Sequence, residues 1–157
     1  MQMNASASTP ENHIPAAVAR FMSQRDLFAR HLGIELLELK SGYSRTGLTI
    51  APYMLNGLGL PHGAVIFALA DFAFATACNS HGRVAVALSM DIHYLSSPKV
   101  AARLVAEAVE VRRGQRIGLY RISILEDGVT PIADLHGMAY FKDASFLEGD
   151  DEFHDTQ

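Results

Sequence analysis

The stretch HGAVIFALADFAFATAC, residues 62–78, decides how the rest of the chain is read. It is apolar almost throughout, yet one aspartate, Asp71, stands near its middle, and the run opens on His62-Gly63. An ionised carboxylate taken out of water without a partner is costly. Asp71 therefore faces out along one stripe, is paired, or does chemistry. The run from 63 to 78 is sixteen residues long. A bilayer-spanning helix needs roughly 20 apolar residues, so a buried helix of a soluble protein is the better reading. Asn79-Ser80-His81-Gly82 ends it, with Gly82 suited to a left-handed stop.

Upstream, YMLNGLGLPH (53–62) holds two glycines and a proline and reads as a loop. Before it, IELLELKS (34–41) and YSRTGLTIA (43–51) alternate as two strands around a tight turn at Ser41-Gly42, and Pro52 stops the second. Residues 14–31, IPAAVARFMSQRDLFARH, are expected to form one amphipathic helix on Val18, Phe21, Met22, Phe28 and, just beyond, Leu32, with Gly33 as its end. Downstream the pattern changes to long strands at 84–95, 102–113, 116–127 and 130–142, with hairpin turns at Arg113-Gly114-Gln115 and Asp127-Gly128. In the first of these, Leu88, Met90, Ile92 and Tyr94 share one face, toward the helix, and Ser89, Asp91 and His93 share the other.

The order is helix, two strands, one apolar helix, four strands. A helix apolar nearly all round must be covered on all sides. The economical solution is an α+β architecture: a curved antiparallel sheet wrapped around a long central helix, with a second copy of the chain covering what remains.

A chain of 157 residues is expected to be one domain, here 14–143, flanked by a disordered tail at 1–13 and an acidic tail at 144–157. The net charge of -4 argues against general nucleic-acid binding. The single cysteine, Cys78, allows no intrachain disulfide, and no secretory signal is visible, so a cytoplasmic location is expected.

MLNGLGLPHGAVIFALADFAFATACNSHG (54–82) followed by SMDIHYLSSP (89–98) resembles the hotdog-fold acyl-CoA thioesterases, most closely the phenylacetyl-CoA thioesterases of aromatic-acid catabolism. The resemblance covers roughly residues 28–142 and rests on Asn56-Gly57, His62-Gly63, Leu69-Ala70-Asp71 and Ala77-Cys78-Asn79-Ser80. It implies the hotdog fold, dimers and often dimers of dimers, and hydrolysis of an acyl-CoA substrate without metal or cofactor. It also implies that Asp71 is the catalytic carboxylate, that the Gly63 backbone amide polarises the carbonyl, and that Asn56 and His62 lie beside the reacting group. The chain departs from the family at Ala64, where a second glycine is usual. That change bears on substrate range more than on the Gly63 amide.

The chemistry also follows from the residues. A helix start offers free N–H groups and the positive end of the dipole, and glycine admits a close ligand. Gly63 at such a start suits an oxyanion site, and equally suits tight loop-to-helix packing. Asp71 suits a general base that activates water, or a nucleophile that forms an anhydride. His62 also reads as a cap for the helix, and Asn56 as a turn residue ahead of Gly57. Cys78 reads as a small buried apolar residue, since no histidine is placed to activate it. Gly63 and Asp71 are eight residues apart, which is roughly 12 Å along one helix. One thioester carbonyl cannot easily meet both groups of one chain. A composite site is expected, with Gly63, Asn56 and His62 from one subunit and Asp71 from its two-fold partner. Arg112, Arg113 and Arg116 gather near one hairpin and suit the phosphates of coenzyme A, and Ser89 is a further substrate-side candidate. Two other functions fit less well: a non-catalytic acyl-CoA-binding protein and a hotdog-type 3-hydroxyacyl dehydratase.

Overall fold

The computed structural model describes residues 13–146. Two short helices, α1 (His13–Arg25) and α2 (Leu27–Leu32), lead into the strands β1 (Glu35–Lys40) and β2 (Tyr43–Thr49). A single 3₁₀ turn at Pro52–Met54 and the loop to Pro61 come next, then the long helix α3 (Gly63–Asn79). Four strands complete the chain: β3 (Arg83–Tyr94), β4 (Arg103–Arg113), β5 (Ile117–Glu126) and β6 (Thr130–Ser145). They form one antiparallel sheet of six strands in the order β1-β2-β4-β5-β6-β3. This is the hotdog fold. Among the described residues no helix is long and apolar enough to cross a membrane.

Curvature of the sheet around α3 depends on small residues where the two meet. Ala106 and Ala108 on β4 are fully buried under the helix beside Leu104, while Ile122 and Ile124 of β5 and Leu135 of β6 fill the gaps. Gly137 on β6 lies under the Phe74 ring: a Cβ there would stand 2.8 Å from it. Polar groups beneath α3 are all paired. Thr76 Oγ1 meets Ser44 Oγ at 2.7 Å, and Thr46 Oγ1 donates to the Leu69 carbonyl at 3.3 Å.

The helix end is tied to its surroundings by two side chains. Asn79 Nδ2 donates to the Ala85 carbonyl (3.2 Å) and its Oδ1 accepts from the Ala85 N–H (2.9 Å), which bridges α3 to β3. Ser80 Oγ accepts from the Gly42 N–H (2.8 Å) in the β1–β2 turn. Asn79-Ser80 is therefore architectural. Replacing Asn79 with Ala strands a buried N–H and C=O on Ala85, and we expect a loss of about 2–3 kcal/mol in urea unfolding. An unchanged unfolding midpoint would show that water or a shifted backbone takes over both bonds.

Three sequence expectations are corrected. The stretch 14–31 is two helices, because the Asp26 carboxylate accepts from the Ala29 N–H (2.8 Å) and starts a new helix rather than continuing the old one. Phe28 in consequence is 64% exposed and not in the core. Leu88 does not share a face with Met90 and Ile92, because the ladder to β6 slips between Ala87 and Ser89 and leaves Leu88 exposed in a bulge. Met90, Ile92 and Tyr94 do face the helix side, opposite Gly137, Leu135 and Ala133. At the boundaries, His13 opens α1, β6 continues through Ser145, and Phe146 packs edge-on against Phe21 at 4.7 Å between centroids. The remainder of both expected tails lies outside the described residues. The turns agree with expectation: Asp127 (φ 50) and Gly128 (φ 75) are both left-handed, as a tight hairpin between twisted strands requires.

Candidate active site

The start of α3 is built by His62. Its backbone is extended (φ -69, ψ 132), and its Nδ1 accepts from the Ala64 N–H at 3.0 Å. Its carbonyl accepts from the Val65 and Ile66 N–H groups at 3.0 and 3.4 Å. Three of the four N–H groups at the helix start are thereby used. The fourth, on Gly63, makes no hydrogen bond among the described residues. The capping reading of His62 is thus correct for Nδ1, and that atom is not free to act as a base in a dehydratase.

Gly63 has a packing reason to be glycine as well. The Tyr94 hydroxyl donates to the Gly63 carbonyl at 3.0 Å, and a Cβ on Gly63 would lie 3.1 Å from that hydroxyl oxygen. Tyr94 escaped the sequence reading as a site residue. Only its place on the inward face of its strand hinted that it reaches the helix. Asn56 holds its loop by accepting from the Leu58 and Leu60 N–H groups at 2.9 and 3.2 Å. These two donors fix which side-chain atom is oxygen, and they leave the Nδ2 donors unspent. Asn56, Leu60, Gly63, Ile66, Tyr94 and Ser96 border a cleft of about 280 Å³. A larger cleft, about 720 Å³, lies between α1 and β1 and has neither Gly63 nor Asp71 in its wall.

Asp71 does not line the Gly63 cleft. It stands on the one open stripe of α3, with Ala64, Phe67 and Ala75, and its side chain reaches solvent in the isolated chain. The atoms packed around it still count: partial burial raises its pKa above the ordinary carboxylate range, and the negative charge of Asp26 adds to the effect. A carboxylate so tuned is a better base than a free one. Of the helix aromatics, Phe72 and Phe74 are core, and Phe67 alone borders the open stripe. Cys78 is buried, and its thiol is pushed up to about 12, mainly by that burial, so it is no nucleophile.

The remaining candidates separate. Arg113 stacks over the Phe141 ring at 5.0 Å, with Arg83 over the same ring at 5.8 Å. Arg116 is held by Asp143 (2.9 Å) and the Tyr140 hydroxyl (2.8 Å). Arg83 and Arg116, with Asp143, border a cleft of about 470 Å³ beyond the end of α3. Arg112 does not join them. A slip in the β4 ladder between Glu110 and Arg112 pairs it with Leu119, on the outer face of the sheet. Ser89, paired with Met138, is also on the outer face, across the sheet from α3 of its own chain.

A profile of the thioesterase superfamily matches residues 58–132, which takes in the Gly63 loop, α3 and the strands β3 to β5. The chain belongs to this superfamily, with the hotdog fold, and the protein is a thioester hydrolase. It is 34% identical over 122 residues to acyl-coenzyme A thioesterase PaaI of Escherichia coli K12, covering 78% of this chain and 87% of that one. A putative esterase of Archaeoglobus fulgidus is 35% identical over 123 residues, covering 78% and 80%. The solved structure of the E. coli PaaI protein from the phenylacetic acid degradation operon superposes with a TM-score of 0.83 at 32% identity, covering 86% of this chain and 98% of that one.

Proposed function

We propose that the protein hydrolyses an acyl- or aryl-acyl-CoA thioester to the free acid and coenzyme A, at two sites per dimer built across the two-fold axis. The observation that carries this reading is the separation of the unpaired Gly63 N–H from Asp71: both lie on α3, eight residues apart, and Asp71 is absent from the Gly63 cleft. The edge strand β3 supports the dimer. It has a neighbour on one side only, and Val86 and Leu88 are exposed along it. An unpaired edge of this kind invites a second copy. Antiparallel pairing of two β3 strands sets two α3 helices antiparallel, so that the start of one faces the middle of the other.

In each site the Gly63 N–H donates to the thioester oxygen, and the positive end of the helix dipole adds to the polarisation. Asp71 of the partner chain takes a proton from water as the water attacks the carbonyl carbon. The C–S bond then breaks, and the proton passes to the departing thiolate. Attack by Asp71 itself, through an anhydride opened by water, has the same balance. Asn56 and His62 shape the acyl side, and Phe67 on the open stripe suits an aryl or medium-chain group. Arg113 and Arg116, with Arg83, suit the coenzyme A phosphates. Arg112 and Ser89 contribute where a second dimer packs on the outer face.

The test is complementation. Gly63→Pro deletes the N–H while keeping a residue suited to the first helical position, after an extended His62. Gly63→Pro and Asp71→Asn are each expected to be inactive alone. Refolded together in equal amounts they should recover about one quarter of wild-type thiol release, since half the dimers are mixed and each holds one intact site of two. Mixed dimers with no activity would overturn the composite site.

A further inference from the structure

Gly63 opens α3, and a glycine at a helix end is where the backbone is least held, because the residue is permissive and the first turn frays. Its N–H must nevertheless stay aimed at one point to stabilise a developing oxyanion, since a reacting constellation tolerates errors of only about 0.5 Å. Hydrogen bonds hold the peptide planes on both sides of it. The His62–Gly63 plane is fixed through its carbonyl, which accepts from the Val65 and Ile66 N–H groups (3.0 and 3.4 Å). The Gly63–Ala64 plane is pinned at both ends: its N–H donates to His62 Nδ1 (3.0 Å), and its carbonyl accepts from the Tyr94 hydroxyl (3.0 Å). A peptide unit is planar and stiff, so fixing both planes fixes both torsions of Gly63.

All of these bonds but the last are made within residues 62–66. Among the described residues, Tyr94 is the side chain that ties Gly63 to the sheet. Its own position is secure. β3 pairs with β6 at Tyr94, opposite Ala133, and the tie continues beyond it through the Leu95 N–H on the Ile132 carbonyl (2.8 Å) and Ser96 Oγ on the Pro131 carbonyl (2.6 Å). The ring tip also fills the space that a side chain at 63 would take: a Cβ there would stand 3.1 Å from the hydroxyl oxygen and 3.2 Å from the ring carbon bearing it. Burial does not account for the hydroxyl, because Tyr94 is 51% exposed. Tyr94 and Gly63 border the same cleft.

Resting on the reading of the Gly63 N–H as the oxyanion donor, we propose that Tyr94 is a positioning residue for that donor. Its hydroxyl, anchored on the β3–β6 ladder, holds the start of α3 so that the Gly63 N–H meets the thioester oxygen as charge develops there. Tyr94 itself moves no proton.

Tyr94→Phe keeps the ring and deletes the bond. Its kcat for thiol release should fall about three- to tenfold, short of the roughly 10²–10³-fold lost with an oxyanion donor itself. KM should stay as it is, because the affected interaction is realised in the transition state. An unchanged kcat, or a loss that appears in KM instead, overturns the proposal. A second measurement separates aim from general loosening. In the complementing pair of Gly63→Pro with Asp71→Asn, the intact Gly63 lies on the Asp71→Asn chain. Tyr94→Phe added to that chain should lower the recovered activity by the same factor, and added to the Gly63→Pro chain it should not. Equal losses from both placements, or a loss confined to the Gly63→Pro chain, overturn the proposal. If Gly63→Pro alone stays active, the N–H is not the donor and the proposal falls with that reading. If the parent pair fails to complement, the composite site falls, and kcat and KM of the Tyr94→Phe homodimer still decide the role of Tyr94.

Discussion

Asp71→Asn should lose at least about 10³-fold in kcat/KM for thioester hydrolysis, within the 10²–10⁴ span of general acid–base catalysis and beyond its middle because no second carboxylate can substitute. Asp26 is engaged at its cap, and asparagine at 71 cannot accept the proton. The measurement is thiol release from aryl-, short- and long-chain acyl-CoA esters, with wild type alongside. Activity retained within tenfold would show that Asp71 is not the proton acceptor. Failure to fold would not explain the loss, because the substitution is isosteric and the side chain reaches solvent. Stability should in fact move the other way. The native pKa of Asp71 is raised, mainly by burial. Between the unfolded and native values the native state holds more protons, so stability falls as pH rises through that window and stays reduced above it. Asp71→Asn escapes this penalty. Its urea midpoint should exceed that of wild type at pH 7, and the difference should close on acidification to below the unfolded pKa. A variant less stable than wild type at neutral pH would contradict the sign.

The largest effect on the fold is expected at the contact between Phe74 and Gly137. Phe74 is 1% exposed and packs edge-on against Tyr120, with ring centroids 5.4 Å apart. Truncation to alanine should cost about 4 kcal/mol, the transfer term plus the cavity that the curved sheet cannot close. Gly137→Ala should cost about 1–3 kcal/mol by overpacking, since the new methyl would stand 2.8 Å from the Phe74 ring. The two changes occupy the same space. In the double variant the alanine methyl enters the void left by the ring, and the combined loss should fall short of the sum by at least about 1 kcal/mol. Chemical denaturation of the four proteins measures this. Additive losses would mean that the ring moves aside for the methyl, so the fit of β6 against α3 is not as tight as the geometry indicates.

Most of the fold and part of the site were legible in the chain itself. The helix from 63 to 79 declares itself through its apolar run, its His62 cap and the glycine beyond its end, all of them local. Asp127-Gly128 and Ser41-Gly42 declare their turns in the same way, because a turn is decided by the residues that make it. The oddity of Asp71 in an apolar run, and its distance from Gly63 along one helix, also needed only spacing. The break at Asp26 was signalled locally by an N-cap residue, but the periodicity on either side masked it.

Other features depend on partners far away in the chain. A Cβ on Gly63 would crowd the hydroxyl of Tyr94, thirty-one residues on. Ser80 matters through Gly42, thirty-eight residues back in the β1–β2 turn. Leu88 left the face that alternation gave it because its ladder slips by one residue, and a slip is set by the neighbouring strand rather than by alternation within one. The sequence by itself determined the elements, their order and the one carboxylate out of place among apolar residues. The tertiary structure alone decided which N–H stays free and which glycine lies under a ring, because those depend on distances in space that periodicity along the chain does not encode.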